Sequence, residues 1–154
     1  MGAYRSPSDI QYLPQHHFIP EYLTVKRVLN DFEVDFTKLT ENFPEFSNHY
    51  KTKLINLSSG QKRIVEIFVI LTSPSKFCLL DEPFSQVMPI HVETIKQIIR
   101  RESTGKGIII TDHLYEHILE LCHEIYVINN GKTHLTKNQT DIETLGYAKI
   151  NKPK

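Results

Sequence analysis

Residues 77 to 85, FCLLDEPFS, join a short apolar run to two carboxylates that follow it directly. An apolar run of this length bounded by polar residues is typical of a buried strand. Asp81 and Glu82 would then lie at the carboxyl end of that strand. Acidic residues often end a strand only because solvent begins there, so the stretch predicts a strand and leaves the role of its carboxylates open.

Two further apolar runs place this strand in a sheet. Residues 108 to 110 lead into TDH (111 to 113), and residues 123 to 132, HEIYVINNGK, contain a third run followed by a turn signal. Helical patterns separate the three runs, so we expect strands and helices to alternate in a parallel α/β sheet. The carboxyl ends of parallel strands share one edge, which would bring His113 near Glu82 and suit proton transfer.

Residues 55 to 68, INLSSGQKRIVEIF, have the pattern of a capped amphipathic helix. Ser58 is placed to cap it, and the helical repeat predicts a buried stripe with the charged side chains outside. The predicted stripe is Ile64, Ile67, Phe68 and Leu71, and the side chains predicted to be exposed are Lys62, Arg63 and Glu66. A helix start that contains Gly60 also presents backbone N–H groups to an anion, so a simple cap and a phosphate site are both open.

The rest of the chain divides into a leading segment, a helical region and a tail. Residues 1 to 21 are rich in proline and contain a strand candidate, Ile10 to Leu13. Residues 22 to 73 are expected to be mostly helical. Residues 74 to 147 would form the α/β part, and residues 148 to 154 a frayed polar tail.

The composition excludes several functional classes. The 154 residues carry 18 Lys plus Arg and 18 Asp plus Glu, so no net field attracts nucleic acid or an anionic membrane. Cys78 and Cys122 lack the spacing of metal ligands and suit buried thiols in a reducing compartment. The length fits one domain, and no stretch has the pattern of a signal core or a membrane span. We therefore expect a cytoplasmic protein.

The histidines offer a second kind of site. His113 and His117 have helical i, i+4 spacing, which permits a metal ion, but no further ligand pattern accompanies them and a structural role is favoured. Three other histidines, His16, His17 and His134, are expected to lie in solvent.

Together these motifs resemble the nucleotide-binding subunit of ATP-binding cassette (ABC) transporters. The matching pieces, in the family's order, are IQYLPQ (10 to 15), LTV (23 to 25), LSSGQ (57 to 61), FCLLDEPFS (77 to 85) and TDH (111 to 113). The resemblance implies a parallel α/β sheet like that of P-loop NTPases, incomplete at its N-terminus, with a helical subdomain. It also implies ATP and Mg²⁺ as ligands and ATP hydrolysis as the reaction.

The resemblance implies a role for each residue of the predicted strand ends. Gln15 corresponds to the family's Q-loop glutamine and Asp81 to its Walker B aspartate, and the two would hold Mg²⁺. Glu82 corresponds to the general base. His113 corresponds to the switch histidine that supports the γ-phosphate.

The family's signature motif corresponds to Ser58, Ser59, Gly60 and Gln61, and its D-loop begins at Ser85. By resemblance the signature reaches the γ-phosphate of ATP bound to the opposite subunit, so a homodimer or heterodimer of ABC subunits is expected. The helical subdomain would dock on integral membrane permease subunits, which would hold the protein at the inner face of the cell membrane. No nucleic-acid partner is expected.

Two features depart from the family. The phosphate loop G-x-x-x-x-G-K-[ST] is absent from the sequence, and STGKG at 103 to 107 lacks its spacing and precedes a strand. Met88 stands where the D-loop usually has aspartate, which puts communication between two ATP sites in question. We expect a truncated form that is inactive alone and marginally stable, because a lost strand removes buried side chains worth ~1.5–3 kcal/mol each.

Three alternatives stay open. The chain could be a non-hydrolysing partner that donates residues 58 to 61 to the ATP of an intact subunit. It could be a fragment of a soluble ABC-type ATPase of DNA repair or translation, although those usually carry coiled coils or a second cassette. It could also be a gene fragment without function. The sequence indicates neither the transported substrate nor the direction of transport.

Overall fold

The computed structural model describes residues 9–113, 115–136 and 139–146. Within them the chain forms two compact units, and the division falls after His113. The predicted boundaries after residues 21 and 73 stay predictions, and the predicted tail, 148 to 154, lies outside the described residues.

A parallel sheet of three strands is the centre of the first unit. The strands are β1 (Ile10–Leu13), β2 (Phe77–Asp81) and β3 (Gly107–Thr111), in the order β1-β2-β3. The parallel sheet and the strand at residues 10 to 13 are therefore confirmed. Cys78 and Leu80 point to one face and are buried, which fits the period-two alternation of a strand. Because β2 is the middle strand, the carboxylates that follow it lie at the centre of the sheet's edge.

Helices make up the rest of the first unit. They are α1 (Val25–Asp31), α2 (Phe36–Asn42), α3 (Ser59–Thr72) and α4 (Pro89–Glu102), with 3₁₀ turns at Pro44–Asn48 and Leu54–Asn56. The predicted helical character of residues 22 to 73 is confirmed. Helix α3 contacts β1, α1 and α4, so it lies at the core of this unit.

The start of α3 is a capping box. The Ser58 hydroxyl accepts from the Gln61 N–H at 3.2 Å, and the Gln61 side chain accepts from the Ser58 N–H at 2.9 Å. Two backbone donors that a helix start leaves open are thereby satisfied. The predicted cap is confirmed.

The predicted buried stripe of α3 is also confirmed, but the predicted exposed side is wrong in two positions. Arg63 and Glu66 are each 1% exposed, whereas the Lys62 side chain is half-buried and pairs with Glu21 at the surface. The reason is that α3 is covered on more than one side, by the sheet, α1 and α4. A helix in that position buries its whole circumference, including charges that find partners.

The second unit contains a hairpin. It holds α5 (Tyr115–Leu121), β4 (Ile125–Asn129), β5 (Lys132–Thr136) and α6 (Gln139–Thr144). Asn130 and Gly131 turn the chain with positive φ of 50° and 73°, which confirms the predicted turn. Strand β4 pairs antiparallel with β5, so placing this third run in the parallel sheet was wrong. Two strands joined by a two-residue turn pair with each other before any distant partner.

Both cysteines are free thiols. Cys78 is buried and Cys122 is half-buried, and burial raises the pKa of each thiol. Across the part of the chain that the structure describes, no helix has the length and apolar character to cross a membrane.

Candidate functional site

Polar side chains gather where the three parallel strands end. Gln15 follows β1, Asp81 and Glu82 end β2, and Thr111 and His113 end β3. We call these five residues the polar edge. Their meeting follows directly from the parallel register, in which Asp81 lies opposite Thr111.

Glu82 is the centre of the polar edge. One carboxylate oxygen lies 2.8 Å from His113 Nε2, and the other accepts from Gln15 Nε2 at 2.8 Å. The Glu82 backbone N–H donates to the Thr111 carbonyl at 2.8 Å, which fixes the residue to β3. Its φ of 47° is left-handed, a strained conformation that functional sites often hold.

Asp81 is held beside Glu82 by two hydroxyl groups. One carboxylate oxygen accepts from Thr111 Oγ1 at 2.6 Å and the other from the Tyr12 hydroxyl at 3.3 Å. Desolvation first, and then the Asp81 carboxylate, raise the pKa of Tyr12, so this phenol stays a donor. Tyr12 is a residue that sequence reasoning missed, although it lies two positions upstream of Pro14 on a strand that ends at the same edge.

The polar edge suits a magnesium ion bound together with phosphate. Mg²⁺ usually takes one or two protein oxygens and completes its shell with water and phosphate. Asp81 offers a carboxylate. Gln15 turns its nitrogen to Glu82, so its Oε1 is the atom available to a cation. Among the described residues no group of three His, Cys, Asp or Glu is placed for a metal, so a cage made of side chains alone is not found there.

The signature residues lie against the segment that follows Glu82. Ser59 Oγ donates to Gln86 Oε1 at 2.9 Å, and a Cβ on Gly60 would lie 3.4 Å from the Gln86 carbonyl oxygen. Gln86 has a positive φ of 64°. Ser85 belongs to the same turn, and its N–H donates to the Glu82 carbonyl at 3.1 Å. The turn thus connects the start of α3 with the polar edge.

Met88 leaves the next helix without a side-chain cap. It occupies the position before α4, where an aspartate would accept backbone N–H bonds. Pro89 begins the helix without an N–H of its own, and the His91 N–H donates to the Met88 backbone carbonyl at 2.9 Å. The departure from the family is therefore tolerated by the helix itself.

Arg63 lies beneath the polar edge. One terminal nitrogen donates to the Pro14 carbonyl at 2.8 Å, and the other donates to the carbonyls of Asp81 and Glu82 at 3.1 Å each. Glu66 lies 3.7 Å from the same guanidinium. Burial lowers the pKa of Arg63, and the nearby carboxylates oppose that shift. Helical periodicity predicted that Arg63 lies at the surface, and this was wrong because the guanidinium is buried against three backbone carbonyls.

Glu66 holds the loop after β1. One carboxylate oxygen accepts from the backbone N–H groups of Phe18 and Ile19 at 3.0 and 3.4 Å. The other lies 2.9 Å from His17 Nδ1, and His17 Nε2 lies 3.0 Å from Ser59 Oγ. His17 is exposed, as expected, and both of its ring nitrogens also have partners on α3.

The site residues therefore fall into two connected groups. Gln15, Asp81, Glu82 and His113 meet at the polar edge, as their strand ends predict. The signature residues lie at the start of α3 and contact the turn that carries Ser85. Their assignment to ATP stays a prediction.

Known proteins resemble this chain in sequence. A family model described as "ABC transporter" matches residues 3–85. The lipopolysaccharide export system ATP-binding protein LptB of Escherichia coli (strain K12) is 43% identical over 153 residues, covering 92% of this chain and 63% of that protein. The protein of the same name from Haemophilus influenzae is 39% identical over 140 residues, covering 83% and 58%. The chain thus spans about six tenths of the length of these relatives.

Solved structures resemble it in fold. One described as "Structure of ATP binding subunit of ABC transporter" has a TM-score of 0.75 at 16% identity, covering 94% of this chain and 67% of that chain. The RNase-L Inhibitor has a TM-score of 0.69 at 19% identity, covering 89% and 30%. The predicted fold class, a P-loop NTPase-like α/β sheet, is confirmed.

Proposed function

Since the chain belongs to the ABC transporter family of ATP-binding proteins, we propose that it couples ATP binding and hydrolysis at a dimer interface to transport across a membrane. One observation carries the proposal. Three separate segments bring Gln15, Glu82 and His113 into one hydrogen-bonded row with both contacts at 2.8 Å. A general base needs this kind of fixed placement beside groups that orient water and phosphate.

In the proposed reaction Glu82 accepts the proton of a water molecule. The water oxygen bonds to the γ-phosphorus, the bond to the bridging oxygen of ADP breaks, and ADP leaves. Gln15 orients the water, and His113 donates to a γ-phosphate oxygen. Bound Mg²⁺ would neutralise charge on the phosphates, held by Asp81 and Gln15.

The signature would act on a second subunit. Ser58, Ser59, Gly60 and Gln61 begin a long helix, and Ser59 is exposed there. Backbone N–H groups and the helix dipole at such a start favour phosphate oxygens. We assign these residues, with Ser85 in the adjoining turn, to the ATP of the opposite ABC subunit. Membrane permease subunits would be the further partners and would hold the protein at the inner face of the membrane.

The test uses a fusion protein in which a segment with a phosphate loop precedes this chain. We expect the fusion to hydrolyse ATP with Mg²⁺ and the Glu82→Gln variant to lose at least ~10²-fold in kcat, the contribution of a general base. Glu33→Gln is the matched control, because Glu33 is an exposed glutamate with a left-handed φ of 57° that lies outside the polar edge. Undiminished hydrolysis by Glu82→Gln would remove Glu82 as the base.

A second candidate is a non-hydrolysing partner that donates its signature. The observation in its favour is that Ser59 is exposed at the capped start of α3, where a second subunit could reach it. The unfused chain is mixed with a phosphate-loop-bearing ABC subunit, and the mass of the complex is measured by light scattering with and without ATP. ATP-dependent association that Ser59→Arg abolishes and Ser103→Arg preserves would support it, and no association would count against it.

The names of the relatives support lipopolysaccharide as the transported substance. The expected result is that depletion of the protein from its source cell stops lipopolysaccharide export. Normal export after depletion would leave the ABC assignment in place and exclude this substrate.

A further inference from the structure

Arg63 contacts the backbone of both segments that supply the proposed water-handling groups. We propose that Arg63 is a positioning residue that sets the spacing between Gln15 and Glu82 and ties both to the signature helix. This inference rests on the proposed function, because it concerns the placement of Glu82 as the base and of Gln15 beside it. The contact itself does not depend on ATP.

The geometry of the guanidinium supports this role. Its two terminal nitrogens donate to three carbonyls, at Pro14, Asp81 and Glu82, over 2.8 to 3.1 Å. Pro14 directly precedes Gln15, and the other two carbonyls belong to the end of β2. A planar, rigid fork of donors fixes the relative position of its acceptors, whereas a single ammonium does not.

Burial indicates that the guanidinium serves more than packing. Arg63 is 1% exposed, and its Nε has no hydrogen-bond partner among residues 9–113, 115–136 and 139–146. A buried ion with an unsatisfied donor is a poor means of stabilising a core, since an apolar side chain of similar volume often serves as well. An apolar side chain could not make the directed hydrogen bonds that Arg63 makes to three carbonyls.

Gln15 is fixed on its other side by the same helix. Glu66, one turn along α3 from Arg63, accepts from the N–H groups of Phe18 and Ile19. The loop from 14 to 19 is therefore attached to α3 at both ends. Arg63 itself lies one turn from Ser59, so a displacement of the first turn of α3 reaches the backbone of Gln15 and Glu82 through one side chain.

The experiment uses the chain without nucleotide and records backbone and side-chain amide signals by NMR. Arg63→Met removes the donors and keeps a long apolar side chain. We expect exchange of the Glu82 N–H to accelerate about tenfold or more beyond the acceleration of the mid-strand Cys78 N–H, which reports any loss of global stability, because bonds to a charged donor are lost at Glu82. The Gln15 side-chain amide signals are expected to move as they do in Glu82→Gln.

Two further variants separate positioning from bulk and charge. Lys62→Met removes the neighbouring cation, whose partner is Glu21 at the surface, and should leave the Glu82 and Gln15 signals in place. Arg63→Lys keeps the charge and most of the volume, and is expected to give intermediate exchange at Glu82. It also serves as the test if Arg63→Met does not fold.

Three outcomes would overturn the proposal. They are equal acceleration at Glu82 and Cys78, unchanged Gln15 signals, and an Arg63→Lys variant indistinguishable from the original chain. Because no ATP is present, failure of hydrolysis in the phosphate-loop fusion would contradict the proposed function and leave this result unaffected. Normal hydrolysis with unmoved Gln15 signals would contradict only the positioning role.

Discussion

The polar edge and the Arg63–Glu66 pair place charge in opposite surroundings. At the edge, the His113 side chain is 82% exposed and contacts Glu82 by its tip. In the pair, both side chains are 1% exposed and bind mostly backbone groups of neighbouring segments. The edge can therefore rearrange around a ligand by rotating side chains, whereas the pair fixes the backbone from which those side chains project.

The energetic consequences differ in the same way. Exposed ion pairs are screened by water and contribute ~0–1 kcal/mol. Removing one member of a buried pair leaves a desolvated charge and costs ~3–5 kcal/mol. Mutations in the two regions should accordingly separate stability from function, with large folding effects at the pair and small ones at the edge.

The largest expected effect is that of Glu66→Leu. It leaves the Arg63 guanidinium without its buried counter-charge and the Phe18 N–H without its acceptor, so the free energy of unfolding should fall by ~3–5 kcal/mol. Urea unfolding followed by circular dichroism measures it.

The control for Glu66 is Glu93→Leu on α4. Glu93 also pairs with an arginine, Arg100, but the two side chains are 60% and 46% exposed. Its loss should cost less than ~1 kcal/mol. Equal costs at positions 66 and 93 would mean that burial does not distinguish the two pairs.

This contrast also shows what the sequence could and could not predict. The polar edge was predictable, because apolar runs that end in acidic residues and histidine specify strands, and parallel strands share their ends. Arg63 and Glu66 were assigned to the surface by helical periodicity. The available signal was the run IVEIFVIL, residues 64 to 71, in which Glu66 is the sole charged residue. A helix that is apolar all round is buried all round, so its charges need internal partners.

The partners themselves could not be predicted. The acceptors of Arg63 are carbonyls of Pro14, Asp81 and Glu82, and every residue has a carbonyl, so no side-chain pattern marks them. The pairing of β4 with β5 is a similar case. The sequence predicts the turn at Asn130 and Gly131, but the alternation of strands and helices upstream of it favours a parallel partner for β4, and β4 pairs with β5 instead.

An intermediate effect is expected from the strained backbone of Glu82. Glycine adopts a φ of 47° without the steric cost that other residues bear, so Glu82→Gly should be more stable than Glu82→Ala by ~1 kcal/mol or more. Both variants lose the bonds to Gln15 and His113. The difference between their free energies of unfolding therefore measures the backbone strain at position 82. Urea midpoints of the two variants give the value.

Two other glutamates calibrate this difference. At Glu33, with a φ of 57°, glycine should again be the more stable residue. At Glu93, inside α4, the order should reverse by ~1 kcal/mol, because glycine is a poor helix former. An alanine variant at position 82 as stable as the glycine variant would show that the edge stores no strain there.

The smallest expected effect is the difference in stability between alanine variants of the two signature serines, Ser58 and Ser59. Both residues lie between the polar edge and the buried pair. Ser58 caps α3, so Ser58→Ala should cost ~0.5–2 kcal/mol. Ser59 is exposed and contacts His17 and Gln86 by its hydroxyl, so Ser59→Ala should stay within about 0.5 kcal/mol. Chemical denaturation of both variants under one condition resolves the difference. If Ser59→Ala were as costly as Ser58→Ala, the Ser59 hydroxyl would contribute to the stability of the fold. The hydrogen bonds around Glu66 would then include the start of α3, through His17. If the predicted order holds, Ser58 builds the helix start and Ser59 is the hydroxyl that a ligand can take.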